Sequence, residues 1–147
     1  MEALDYEKLA AEIEKKLRKK KEIVLSTCAG DHVTARTMCH INDGLQVLFS
    51  TDRRSLKAMQ MQENPRIALT VDDLTIEATA ELFGRPKGHA LFIREYPKKF
   101  PHLGKAYPET PDDLLIIAHP KKIQLFRYIG KPAWDVLEPE TSKAYRI

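Results

Sequence analysis

Leu74-Thr75-Ile76-Glu77-Ala78-Thr79-Ala80-Glu81-Leu82-Phe83 alternates apolar and polar residues with a period of two. An extended strand built from it has one dry face and one wet face. Arg66–Val71 precedes it as a second β-rich run, and Asp72-Asp73 supplies the turn between them. The same texture extends upstream through Glu22–Thr27, His32–Ile41 and Leu45–Thr51, joined at Ala29-Gly30-Asp31 and Asn42-Asp43-Gly44. Gly and Asn tolerate the positive φ that tight hairpin turns require, so the chain reads as a β-meander. Downstream, Leu114–Ala118 and Lys122–Tyr128 read as two further strands joined near Pro120-Lys121. About six or seven strands in this order imply a mainly β fold with flanking helices, an antiparallel barrel.

Three helical segments complete the expected architecture. Leu9, Ile13 and Leu17 recur every fourth residue between charges, which predicts an amphipathic helix from about Asp5 to Lys20. Its basic run, Lys15 to Lys21, follows Glu2, Asp5, Glu7, Glu12 and Glu14, the order that the helix dipole favours, so this reads as a solvated face. Ser55 to Gln62 predicts a short helix with Leu56, Met59 and Met61 turned inward, stopped by Asn64-Pro65. Pro86 to Glu95 reads as helical, and Tyr96 to Pro111, with four prolines, as a long loop. Residues 1–147 are read as one domain, with the helix in 1–21 and a tail over 130–147 anchored by Trp134.

The composition narrows the function classes. The chain has 147 residues, 43% of them apolar, with 24 basic against 21 acidic side chains, a net charge of +3. That balance is too slight for gripping a long polyanion, so no nucleic-acid partner is expected, whereas a small anionic ligand fits. No apolar stretch approaches the roughly 18 residues of a membrane span, and the first residues lack a secretory pattern, so a cytoplasmic, membrane-free protein is expected. Across a Gly30-Asp31 turn, Cys28 falls opposite about Val33 and Cys39 opposite about Glu22, some ~20 Å apart, too far for a disulfide. The five histidines show no metal-ligand spacing, and no Gly-x-Ser-x-Gly elbow is present.

The chemistry concentrates between Val33 and Arg66. A hairpin at Asp43-Gly44 places Arg36 opposite roughly Thr51, bringing a guanidinium and a hydroxyl to one sheet end. The chain then enters a helix through Asp52-Arg53-Arg54-Ser55-Leu56-Lys57, whose first amides are unpaired donors with a dipole that favours anions. Lys57 in the first turn is unfavourably placed unless an anion sits near it. Arg36, Thr51, Ser55 and Lys57 thus describe a phosphate socket. Ser55 is equally an ordinary N-cap, and surface bases commonly face water.

The ordered segments Thr34-Ala35-Arg36-Thr37-Met38, Leu48-Phe49-Ser50-Thr51, Arg54-Ser55-Leu56-Lys57-Ala58 and Glu63-Asn64-Pro65-Arg66-Ile67-Ala68-Leu69 resemble the pyridoxamine 5'-phosphate oxidase-like, FMN-binding split-barrel family. The resemblance covers about residues 8 to 137. It implies a six- to seven-stranded split barrel with FMN as cofactor, its phosphate held by Arg36 and Lys57. Ser50, Thr51 and Ser55 would add hydroxyl or backbone contacts, and backbone around Thr37 and Met38 would follow the isoalloxazine edge. It also implies a homodimer with the flavin at the subunit interface, where Trp134 reaches the flavin from the partner; a packing tryptophan is the plain alternative. The ending Trp134-Asp135-Val136-Leu137-Glu138-Pro139 is unlike the basic substrate segment of authentic pyridoxamine-phosphate oxidases, so the likeness is to short flavin-binding relatives.

The activity that the resemblance implies is that of an oxidoreductase, passing electrons or hydride between a reduced donor and a small-molecule acceptor. Lys98, Lys99 and His102 in the long loop are candidates for the substrate side. A flavin carrier or redox sensor without turnover would use the same socket. A haem-binding relative of the fold would need an axial histidine, and none is marked out.

Overall fold

A computed structural model describes residues 1–147. The strands are β1 (Glu2–Ala3), β2 (Glu22–Ala29), β3 (His32–Cys39), β4 (Ile41–Asp43), β5 (Gln46–Asp52), β6 (Arg66–Val71), β7 (Leu74–Gly84), β8 (Asp113–Tyr128), β9 (Pro132–Glu138) and β10 (Lys143–Arg146), and the helices α1 (Tyr6–Lys19), α2 (Leu56–Glu63) and α3 (Ala90–Lys99). All strands join one antiparallel sheet in the order β1-β10-β9-β8-β7-β6-β2-β3, with β5 paired to β8 and β4 to β5. The sheet does not close on itself. It is split along one edge of β8, where Leu114–Ala118 pairs with β5 and Ile123–Tyr128 with β9.

The alternation in β7 is realised: Leu74, Ile76, Ala78 and Ala80 are buried. They join Leu25, Phe49, Leu69, Ile116 and Ile123 in the main core, which α1 closes with Leu9, Ile13 and Leu17. Asp5 caps α1 by accepting from the Lys8 amide at 3.1 Å. A second core holds Phe92 and Tyr96 of α3, and Phe100 just after it, against Ile41, Leu48, Leu115 and Ile117. The start of β8 is therefore covered on both faces, which explains its unbroken apolar run. The β2–β3 register puts Cys28 opposite Val33 and Cys39 opposite Glu22, and Gly30 and Asp31 both take positive φ in their turn.

Ten strands stand where six or seven were expected: two of the expected strands merge, one divides, the C-terminal residues add two, and Glu2–Ala3 adds β1 against β10. Leu114–Ala118 and Lys122–Tyr128 are one strand, β8, since the register shifts between Glu77 and Ala78 and a bulge absorbs Lys121 beside Pro120. His32–Ile41 divides at His40: β3 pairs with β2, and β4 pairs with β5. Residues 132–146, read as tail, form β9 and β10. In addition α3 runs on to Lys99 with Pro97 inside it, because Phe92, Tyr96 and Phe100 are one helical stripe.

Candidate functional site

The break at His40 changes how the socket is assembled. Arg36 pairs with Leu25, and Thr51 pairs with Leu114, so the two are not cross-strand neighbours as expected. Arg36 is brought to the site by β2 and α2 instead. Its Nη1 donates to Thr27 Oγ1 at 2.7 Å and to the Leu25 carbonyl at 3.4 Å, and its Nη2 donates to Thr34 Oγ1.

Helix α2 supplies the rest. Ser55 caps it, accepting from the Ala58 amide at 3.3 Å and donating to the Asp52 carbonyl at 2.7 Å, and its Oγ lies 3.3 Å from Thr51 Oγ1. Lys57 is half-buried in the first turn. Burial pushes its pKa down, and the positive charge of Arg36 pushes the same way, partly opposed by Asp52. Burial also lowers Arg36. The two cations therefore lie within electrostatic reach of each other, and neither forms a salt bridge. Arg54, two residues before the helix, differs: its guanidinium bonds Asp52 at 2.9 Å and Asp112 at 3.4 Å, which draws Asp52 down to about 2. Arg53 reaches only the Asp113 carbonyl, at 3.5 Å. Two partly buried cations with no salt bridge, one of them in the first turn of a helix, suit a dianionic group.

The inward arc of α2 reverses what its sequence suggests. Leu56 and Met59 are 49% and 58% exposed, contrary to expectation, while Ala58, Gln60 and Met61 are buried. At 100° per residue Gln60, Lys57, Met61 and Ala58 share one side, so the helix turns a lysine and a glutamine toward the sheet. Gln60 was not anticipated. Its Oε1 accepts from Thr27 Oγ1 at 2.5 Å and Thr34 Oγ1 at 2.7 Å, and its Nε2 donates to the His32 carbonyl at 2.9 Å. The sequence signal for it was only a polar residue inside an amphipathic stripe.

The other expected residues lie elsewhere. Ser50 faces away from Thr51 into the α3 side, where its Oγ is 2.6 Å from the Tyr107 hydroxyl, which also bonds Asp113 Oδ2 at 3.0 Å. Thr37 points outward, and Met38 packs against the main core. Both sit on β3, the last strand of the path, so their strand has a sheet edge without a partner. Trp134, 39% exposed, stacks edge-on against Phe126 at 5.7 Å on the β9 side of β8, far along that strand from Leu114 and Thr51. Lys98 pairs with Glu95, Lys99 donates to the Leu17 carbonyl, and His102 is exposed beside Phe100; none joins Arg36 and Lys57. The segment around Tyr107 is pinned by Glu109, which takes Arg85 Nη2 and the Lys87 amide, each at 2.8 Å.

The family model for pyridoxamine 5'-phosphate oxidase matches residues 9–127, most of the chain. The chain belongs to that family. No curated protein matches it. Among solved structures of the family's fold, a protein from Clostridium acetobutylicum related to general stress protein 26 superposes with a TM-score of 0.69 at 18% identity, over 95% of this chain and 99% of that one. The general stress protein 26 of Bacillus anthracis gives 0.62 at 22% identity, over 78% and 91%. An FAD-binding protein from Mesorhizobium loti gives 0.60 at 12% identity, over 78% and 91%. These likenesses establish a shared fold.

Proposed function

We propose that this member of the pyridoxamine 5'-phosphate oxidase family is an FMN-dependent oxidoreductase that moves electrons or hydride between a reduced donor and a small-molecule acceptor. The observation that carries the reading is the Arg36 and Lys57 pair, two cations within electrostatic reach of each other and without a salt bridge, Lys57 standing in the capped first turn of α2. Family membership and a neighbour described as FAD-binding support a flavin as the phosphate's owner. When bound, the flavin supplies the redox chemistry. The chain's own residues bind and orient it. Arg36 and Lys57 take the phosphate oxygens, and the α2 amides with Ser55 and Thr51 complete the cradle. The unpartnered edge of β3 at Thr37 and Met38 offers backbone donors and acceptors to a planar heterocycle.

The reading includes a homodimer with the site shared at its interface. The outer faces of β2, β3 and β6 carry Val24, Ser26 and Cys28, Val33, Ala35 and Thr37, and Ala68 and Thr70 in adjacent rows, with charges only at the row ends, Glu22 and Arg66. A groove of about 560 Å³ runs over Ser26, Cys28, Val33 and Ala68 on this face and is lined also by Arg66, Glu77 and Lys121. Trp134 lies too far along β8 to serve the socket of its own chain, so it would act on the partner's flavin. Light scattering with saturating FMN is expected to give a dimer mass, and a monomer would refute the shared site.

The test of the cofactor is the visible spectrum of the purified protein, followed by chromatography of the chromophore released on denaturation. Stoichiometric FMN is the expected result. A haem spectrum, or a colourless protein that refuses added FMN, overturns the reading; bound FMN without donor oxidation would make the protein a flavin carrier or sensor.

A further inference from the structure

We infer that Gln60 is a positioning residue for the anion site: it orients the Arg36 guanidinium through the hydroxyls of Thr27 and Thr34. The inference rests on the phosphate reading above and deepens it.

The hydrogen bonds form a two-branched relay. Gln60 Oε1 accepts from both threonines, 2.5 Å from Thr27 Oγ1 and 2.7 Å from Thr34 Oγ1. An amide oxygen has no proton, so both hydroxyl protons point at Gln60 and both hydroxyl oxygens turn lone pairs outward. Those lone pairs receive Arg36, Nη1 on Thr27 at 2.7 Å and Nη2 on Thr34. The two hydroxyl oxygens lie 3.2 Å apart, close enough for the end-on edge of one guanidinium to span them. The second Nη1 proton goes to the Leu25 carbonyl at 3.4 Å. What remains is the side-on edge of Arg36, the Nε proton and one Nη2 proton, with no partner in the protein. That edge has the fork spacing that matches two oxygens of a phosphate.

Gln60 is itself held from the other end, since its Nε2 donates to the His32 carbonyl at 2.9 Å, which fixes which way the amide faces. It is 4% exposed, whereas Leu56 and Met59 on the same helix are half-exposed or more. A helix that buries a glutamine and half-buries a lysine while exposing leucine and methionine is not optimised for stability, and such local conflicts mark functional positions. The relay also lets a neutral residue aim a cation. A carboxylate in its place would hold Arg36 equally well but would cancel the charge that the phosphate needs.

The test compares FMN with riboflavin, which lacks the phosphate, by equilibrium titration of the full-length protein. Gln60→Met is expected to weaken FMN by about tenfold, the effect of one misdirected charge-assisted contact, and to change riboflavin by less than about twofold. In an Arg36→Ala background the same substitution is expected to have no further effect on FMN. Thr34→Val, on the more exposed branch, is expected to show the same FMN-only pattern at lower amplitude, and it serves if Gln60→Met does not fold. Equal losses for FMN and riboflavin, or an FMN loss that persists without Arg36, would make Gln60 merely structural and overturn the inference. If the unmodified protein itself fails to prefer FMN over riboflavin, the phosphate reading falls and the relay with it, an outcome recognisable before any variant is made.

Discussion

His40 is fully buried where three elements meet, and its protonation is the most sharply defined perturbation in the molecule. Its Nε2 donates to the Leu17 carbonyl at 3.2 Å, near the C-terminus of α1, and its amide donates to the Lys21 carbonyl at 3.1 Å. Nδ1 has no partner. From α3, Lys99 Nζ donates to the same Leu17 carbonyl at 3.4 Å, so a second positive charge faces the ring. Burial first, and Lys99 second, lower the His40 pKa from 6.5 to about 4. The neutral ring is therefore the folded form, and its stabilisation is complete above pH 6.5, falls as pH drops, and is gone below about 4. The full span corresponds to about 3 kcal/mol, most of it lost by pH 4.5. Urea unfolding from pH 8 to 4.5 measures it, with His40→Gln as the reference because it keeps a donor for Leu17 and does not titrate. Carboxylates held low by arginines, such as Asp52 and Asp135, titrate in both proteins and cancel. Stability curves that run parallel for the two proteins would refute the reasoning.

Other substitutions probe the remaining features. Replacing both Arg36 and Lys57 by Ala is expected to weaken FMN at least a hundredfold in fluorescence titrations with the fold intact by circular dichroism, because two charge-assisted contacts are lost. Asp135 is 2% exposed and joins Arg127, which also bonds Glu12, to Arg146. Asp135→Ala strands both guanidiniums and is expected to cost about 2 kcal/mol or more in chemical denaturation, less than a wholly buried pair because both arginines keep some solvent. Lys19→Glu with Lys20→Glu is expected to leave flavin content unchanged, since that face of α1 meets only solvent and the Asp72–Asp73 turn.

Much of this fold could be read because it obeys local rules. The period-two pattern of β7 and the Gly30-Asp31 turn each specify one geometry, and the turn set the β2–β3 register that placed Cys28 and Cys39 correctly. Elements governed by distant partners were hidden. Pro120 sits within β8 because a bulge opposite Glu77 and Ala78 accommodates it, and no residue near it in sequence announces that bulge. Pro97 stays in α3 because Tyr96 and Phe100 are needed in the second core. In the site, Arg36, Ser55 and Lys57 carried a local signature in the anion-binding start of a helix. Gln60 carried only its polarity inside an amphipathic stripe, since its role comes from two threonines on strands far away in sequence. The partner of Arg36 was misplaced for the same reason: the chain changes sheet neighbours at His40, and a hairpin register cannot be extended across that break.

The Arg36 and Lys57 socket is proposed to recognise the phosphate of a flavin mononucleotide. The most direct measurement is the ratio of dissociation constants for riboflavin and FMN on the unmodified protein at moderate salt. Two charge-assisted phosphate contacts predict FMN to bind at least about a hundredfold more tightly. Equal affinities, or no binding of either, would contradict the account.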